Sequence, residues 1–258
     1  FEARFGFFLH DVLDIADKRR VFSLTKNDFL NINPNTKTCP VFRTQQDAEL
    51  TKKIYSYVPV LINEEKSQNP WGVSFKQGLF NMSSDSHLFK TEAELTAMGF
   101  SLVGNRFVKS GEMWLPLYEA KFIWHFDHRA STYEGSNNRN NYNGLLTQEK
   151  IEQKFLIPWY WVEFEKVEDK AGDFSSFKFL GFRKTARVSD ERTSIFSLFP
   201  YTAANDKQQL LSLEDSITNR LILLAIFNSL PLDFVVRQKV GGTDLSFHYV
   251  NSKTGNPI

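Results

Sequence analysis

The sequence predicts an α+β fold with mixed sheets, short capped helices and a C-terminal packing helix. Three observations predict it. Threonine and an acid three residues apart recur at Thr25/Asp28, Thr44/Asp47 and Thr91/Glu94. In such a pair the hydroxyl and the carboxylate each satisfy a backbone N–H at a helix start. Aromatic-rich segments lie between the pairs, and the clearest, residues 114–126, alternates with period two as a strand does. No unit of about 20–50 residues recurs, which excludes a solenoid.

Taken in order, residues 1–12 read as a strand and Asp14–Arg20 as a charged turn. Thr25 opens a short helix through Phe29 and Leu30. The Asn-Pro step and two prolines of residues 31–42 favour turns and extended backbone. A helix follows Thr44 and ends at Pro59, and another follows Thr91 and ends at Gly99. In residues 114–126 the even positions are almost all apolar, while the odd ones carry Glu119, Lys121 and His125. Alternation places the two sets on opposite faces, the polar one accessible. Residues 134–144 form a polar, Asn-rich loop, a possible internal boundary. Residues 159–164 and 177–188 read as further strands, with Arg183, Thr185 and Arg187 on one face of the second. Ser216 caps an apolar helix at 216–229, interrupted by Pro231, and Gly241-Gly242 turn the chain into a last strand.

Composition narrows the function classes. The 258 residues are 41% hydrophobic and 24% charged, which excludes a disordered chain or a collagen. The one cysteine, Cys39, forms no internal disulfide and no thiolate metal cluster. The longest apolar run, Leu221 to Phe227, falls far short of the roughly 18 residues that span a bilayer. Aromatic residues reach 15%, with 25 Phe, so a Phe-rich core and surface stacking groups are expected. The net charge of +1 means that any basic footprint is local. The first twelve residues do not read as a signal peptide, and a cytoplasmic protein without membrane association is expected. Starting at Phe1, the chain reads as a piece of a longer polypeptide.

Several short motifs suggest chemistry. Asn69-Pro70-Trp71 is close to the catalytic motif of amino-group DNA methyltransferases, but Gly72 stands where the pattern continues and the second proline is absent. A turn around Trp71 accounts for it. No glycine-rich loop has the spacing that cradles a dinucleotide or S-adenosylmethionine. Glu119-Ala120-Lys121 matches half of a restriction-type nuclease site, in which carboxylates hold a divalent metal and lysine orients water. Asp85 is the candidate second carboxylate. His125, Asp127 and His128 do not converge on a metal from a regular strand, so no metal site is expected; the histidines and Arg129 suit phosphates or base edges. Residues 177–196 set Lys178, Arg183, Lys184, Arg187 and Arg192 against only Asp190 and Glu191. Forked guanidiniums in a row suit phosphate and guanine contacts; a solvated, salt-bridged strand face is the plain alternative.

Five longer segments, taken in order, carry a resemblance. They are NINPNTKTCPVFRTQQDAELTKKIYSYVPVL, NPWGVSFKQGLFNMSSDSHLF, LPLYEAKFIWHFDHR, GFRKTARVSDERTSIFSLFP and FNSLPLDFVVRQKVGGTDLSF. From about Phe5 to Phe247 the chain resembles the C-terminal target recognition region of large DNA adenine-N6 methyltransferases, the fused type II restriction–modification enzymes and related phage-defence methyltransferases. The resemblance implies a target-recognition-domain-like fold over residues 25–258, with 1–24 the tail of, or linker from, an upstream methyltransferase domain. It implies that S-adenosylmethionine and the catalytic motif belong to that upstream domain, with no catalytic residue and no cofactor in this chain. The implied partner is double-stranded DNA, whose target adenine is flipped out for reaction. It also implies that helix 216–229 packs behind the recognition strands.

The matching segments offer three groups of candidate DNA-binding residues. The first is Lys121, His125, His128 and Arg129; the second is Arg183, Arg187, Arg192 and Thr193; the third is Arg237, Lys239, Gly241, Gly242 and Thr243. The expected function is a sequence-specific DNA recognition module, non-catalytic in isolation. The competing expectations are a metal-dependent nuclease centred on Glu119 and Lys121, and a protein-interaction scaffold using the aromatic surface.

Overall fold

The computed structural model describes residues 2–152, 154–174, 178–213, 217–246 and 250, apart from the side chains of 173 and 178. The fold is α+β. It divides into two compact units, one built from residues 1–73, 186–193 and 229–258, the other from 74–185 and 194–228. The Asn-rich loop 134–144 lies wholly within the second.

The first unit begins with a hairpin, Glu2–Gly6 against Val21–Thr25, in the register Glu2 to Thr25 and Gly6 to Val21. Residues 1–12 are therefore not one strand. Asp11 caps a 3-10 helix over Val12–Ala16, and the return strand starts at Val21, whose apolar alternation was hidden behind the charged turn. Phe22 and Leu24 point into a core with Ile32, Phe42 and Ala48, lined by Phe5, Phe29 and Tyr55. Two capping boxes deliver helices to this core. Thr25 and Asp28 open Lys26–Ile32, and Thr44 and Asp47 open Gln45–Tyr57. Each box typically contributes about 1 kcal/mol. The unit closes with helix Leu230–Lys239, capped by Ser229 with Pro231 in its first turn, where a missing N–H costs nothing. Pro231 thus starts a second helix instead of only interrupting the first, and residues 230–239 are helical.

The second unit contains two sheets. One runs in the order Phe196–Pro200, Lys178–Arg183, Gln208–Leu213, Val73–Lys76. The other centres on Glu112–Tyr118, which is paired by Arg106–Lys109, Trp161–Glu163 and Ala203–Ala204. Because neighbours flank this strand and both of its faces are covered, Trp114, Leu115, Leu117 and Tyr118 are all buried. The expected alternation to Phe126 is therefore absent: the strand ends at Tyr118 and a 3-10 turn, Ala120–Phe122, follows. Central, doubly covered strands lose the polar-out signal. The core is as aromatic as composition predicts, with Phe80, Phe89, Tyr118, Phe122, Phe179 and Phe199 among its members.

Glycine is required in mid-strand at Gly181, where a Cβ would lie 2.5 Å from the Gln209 carbonyl. The third box, Thr91 with Glu94, opens Glu92–Ala97, which stops at Gly99 in a left-handed conformation (φ 83°). The packing helix is present as Ile217–Phe227, its expected cap Ser216 lying outside the described residues. Phe227 stacks on Phe196 at 4.5 Å, and Phe196 on Phe182 at 4.8 Å. Asn228 then offers its side-chain amide to Phe196 as a strand would, donating to the carbonyl (2.9 Å) and accepting from the N–H (3.0 Å).

Candidate nucleic-acid interface

The first group of candidates falls on the turns after strand Glu112–Tyr118. Lys121 points into the fold. Its ammonium donates to the Tyr133 hydroxyl (2.7 Å), pairs with Glu119 (3.4 Å) and lies over the rings of Tyr133 and Tyr142 at 5.1 and 4.8 Å. Glu119 is buried between Lys121 and Arg139, each at 3.4 Å. Two cations thus neutralise the carboxylate on which the nuclease reading depends. Asp85 is also taken: it pairs with Lys170 at 2.9 Å, and this hydrogen bond holds its carboxyl below the usual carboxylate range. Among the described residues no group of three or more His, Cys, Asp or Glu could hold a metal ion.

His128 and Arg129 also face inward. His128 Nδ1 shares a hydrogen bond with the hydroxyl of buried Tyr118 (3.1 Å), whose pKa is raised because burial disfavours the phenolate. The Arg129 guanidinium donates to the carbonyls of Lys150 (3.2 Å) and Lys154 (3.1 Å) at the end of helix Thr147–Ile151. A cation there satisfies carbonyls that the helix leaves over. Asp127 is held by Lys150 at 2.7 Å.

His125 is different. Trp124 and Asp127 exchange backbone hydrogen bonds of 2.7 and 3.2 Å, leaving His125 and Phe126 at the tip of a tight hairpin. The tip is anchored twice to the start of strand Phe196–Pro200. Phe126 N–H donates to the Phe196 carbonyl (3.2 Å), and His125 Nε2 donates to the Ser194 carbonyl (3.0 Å), so Nε2 carries the proton. Trp124 remains 37% exposed and Phe126 60%. The guanidinium of Arg183 lies over the Trp124 ring at 5.7 Å. Arg183 ends strand Lys178–Arg183 opposite Gln208, and the N–H of Lys184 donates to the carbonyl of Lys207 (2.9 Å). Arg183, Lys184 and Lys207 therefore lie at one end of a sheet, with Arg183 against the Trp124 ring.

The rest of the second group is not part of this arrangement. The strand stops at Arg183, so Arg183, Thr185 and Arg187 do not form a row, and Arg187, Arg192 and Thr193 belong to the first unit. There the organiser is Asp233, which is buried and was missed in the sequence. It accepts from Thr193 N–H (2.8 Å) and Arg237 Nε (2.9 Å), with Arg192 Nε at 3.5 Å. The remaining Arg237 nitrogens donate to the carbonyls of Val188 (2.8 Å), Asp190 (2.7 Å) and Glu191 (2.6 Å). Thr193 is fully buried, its hydroxyl donating to the Arg187 carbonyl (3.0 Å). Arg192, Thr193 and Arg237 thus fasten segment 186–193 to helix Leu230–Lys239. The i,i+4 spacing of Asp233 and Arg237 was the available signal, legible only once the segment is read as helix.

Lys239 donates to the Ile32 carbonyl (3.4 Å) and lies over Tyr55 at 5.2 Å. Arg187, Gly241, Gly242 and Thr243 are exposed. Neither glycine has a positive φ, and a Cβ on either would meet nothing within 4 Å. The expected tight turn therefore does not demand glycine at either position. No single helix among the described residues is long and apolar enough to cross a membrane.

No protein-family profile matches the chain, and a search of curated proteins finds no significant match.

Proposed function

We propose that the chain is a sequence-specific double-stranded DNA recognition module of an adenine-N6 methyltransferase of the restriction–modification or phage-defence type, without catalysis of its own. Transfer chemistry and S-adenosylmethionine would then reside in an upstream methyltransferase domain of the same polypeptide. The observation that carries this reading is the placement of Arg183 and His125, expected DNA contacts from distant parts of the sequence, both against the ring of Trp124. A guanidinium serves phosphates and base edges alike, and an exposed indole stacks on bases, with His125 holding the hairpin that carries the indole. Glu119 and Lys121, spent on each other and on Arg139 and Tyr133, favour this reading over the nuclease.

A salt titration of binding to a fluorescent duplex tests it. Each phosphate neutralised contributes about −0.9 to the slope of log K against log salt. A measurable affinity with a linear slope, reduced by about one in Arg183→Ala, is expected if Arg183 contacts a phosphate. Binding that ignores salt, or no binding at low salt, would refute the reading. One observation favours the scaffold alternative: Ile217, Leu221, Ile222 and Ile226 are exposed on one side of helix Ile217–Phe227. If that stripe is the functional surface, polar substitution there abolishes partner association and leaves the salt titration untouched.

A further inference from the structure

We infer that Phe126 is a wedge that enters the base stack of duplex DNA, with Trp124 as the ring behind it. The inference rests on the DNA-binding reading and specifies how that surface engages its ligand.

Phe126 combines two features that are individually uncommon. The residue is 60% exposed, at the tip of a hairpin. Its backbone sits in the left-handed region (φ 60°), which a bulky residue adopts at a cost and which glycine fills freely. A turn needing only this geometry has no use for phenylalanine. The conformation is imposed from outside by the reciprocal Trp124–Asp127 hydrogen bonds and by the bond from Phe126 N–H to the Phe196 carbonyl. Strain held in place by such over-determination gathers at ligand-contacting sites. The ring is thus presented outward on a rigid support, as an inserting side chain must be, since a floppy one would lose conformational entropy on insertion.

Charge then selects the ligand. Arg183 over Trp124, with Lys184 and Lys207 at the same sheet end, sets cations beside the rings. Asp127, which closes the hairpin that carries the rings, is itself paired with Lys150. An apolar protein partner would have to bury positive charge beside the rings, whereas a polyanion with stacked π-faces complements charge and rings together. Apolar side chains inserted at a base step unstack it and kink the duplex. A protein that presents one base for chemistry gains from a destabilised step.

The test uses the 258-residue chain and two readouts. Relaxed closed-circular plasmid is treated with topoisomerase in the presence of the protein, which is then removed; insertion during the reaction leaves a shifted topoisomer ladder. Affinity and salt slope are measured in parallel on a fluorescent duplex. The wild-type chain is expected to bind and to shift the ladder. Phe126→Gly, which suits the backbone, is expected to bind within about threefold with the same slope, because phosphate contacts remain, and to leave the ladder unshifted. Phe126→Trp is expected to restore the shift. A ladder shifted equally by Phe126→Gly, or wild-type binding without any shift, overturns the wedge and leaves the DNA-binding reading standing. Absence of wild-type binding overturns both. If Phe126→Gly loses binding altogether, Phe126→Trp decides: recovery of binding and shift supports the wedge, and failure of either overturns it.

Discussion

Two arginine-bearing regions that look alike in the sequence have opposite constructions. Around Asp233, in the first unit, the guanidinium of Arg237 spends its donors on one buried carboxylate and three backbone carbonyls. Around Trp124, in the second unit, the guanidinium of Arg183 lies over a ring that is itself partly open to solvent. The first is a fastening and the second a surface. Counting charges along residues 177–196 weighs Arg183 and Arg192 alike; the buried carboxylate beside Arg192 and the half-exposed ring beneath Arg183 separate them. An arginine whose donors end on carbonyls of its own fold has little left for a phosphate.

The comparison breaks most sharply at Asp233. Asp233→Ala leaves the Thr193 N–H and two guanidiniums without their shared acceptor, and is expected to cost about 3 kcal/mol, the scale for removing one partner of a buried charged network. Urea unfolding measures it. A loss below about 0.5 kcal/mol, the range of ordinary surface substitutions, would show that the region is not a fastening. Arg183→Ala is the counterpart. It is expected to weaken duplex binding by about tenfold, roughly 1.4 kcal/mol, with a midpoint of unfolding close to wild type. Equal effects of the two substitutions on stability would erase the distinction.

Smaller still is the effect of Phe126→Gly on the fold. Relief of the left-handed backbone, about 1 kcal/mol, offsets the loss of a ring that is mostly outside, so thermal unfolding is expected to be unchanged or slightly raised. A clear destabilisation would mean that the ring is a packing element. Acid sensitivity is expected to arise from neither region. Glu94 is held below the usual carboxylate range by the Thr91 N–H and hydroxyl, and Asp85 by Lys170. A depressed folded pKa gives stability that is complete above the unfolded value, near 4, and is lost as pH falls through the folded value. Unfolding midpoints should therefore be flat above about pH 5 and decline below about pH 4. Glu94→Gln is expected to flatten part of that decline, and an unaltered acid limb would remove the cap from the account.

What could be read in the sequence follows from how local the cause was. Thr25, Thr44 and Thr91 each cap a helix at the expected residue, because a box of four residues contains its own energetics. Strand Glu112–Tyr118 was misjudged in length and in sidedness, since its burial on both faces is set by partners that lie far away in sequence. Helix Leu230–Lys239 was obscured by Pro231, which disrupts a helix interior and is tolerated in a first turn. For the candidate site, the side-chain chemistry of His125 and Arg183 is legible in the sequence, and both lie against Trp124. Lys121, His128 and Arg129 satisfied the same chemistry, and their engagement with Tyr133, Tyr118 and two carbonyls depends on contacts 10 to 25 residues distant.

Asn228 has a consequence for how the molecule behaves in a crowd. Strand Phe196–Pro200 is outermost in its sheet, the position from which β-proteins polymerise when an intruding chain extends the ladder. At its first residue both backbone groups are already claimed by a single side-chain amide, so a would-be intruder finds that rung filled. Replacing Asn228 by leucine would leave the Phe196 N–H open to an intruder while Phe126 still holds the carbonyl, and the damage would be visible as turbidity on concentration before any change in the monomer's spectrum.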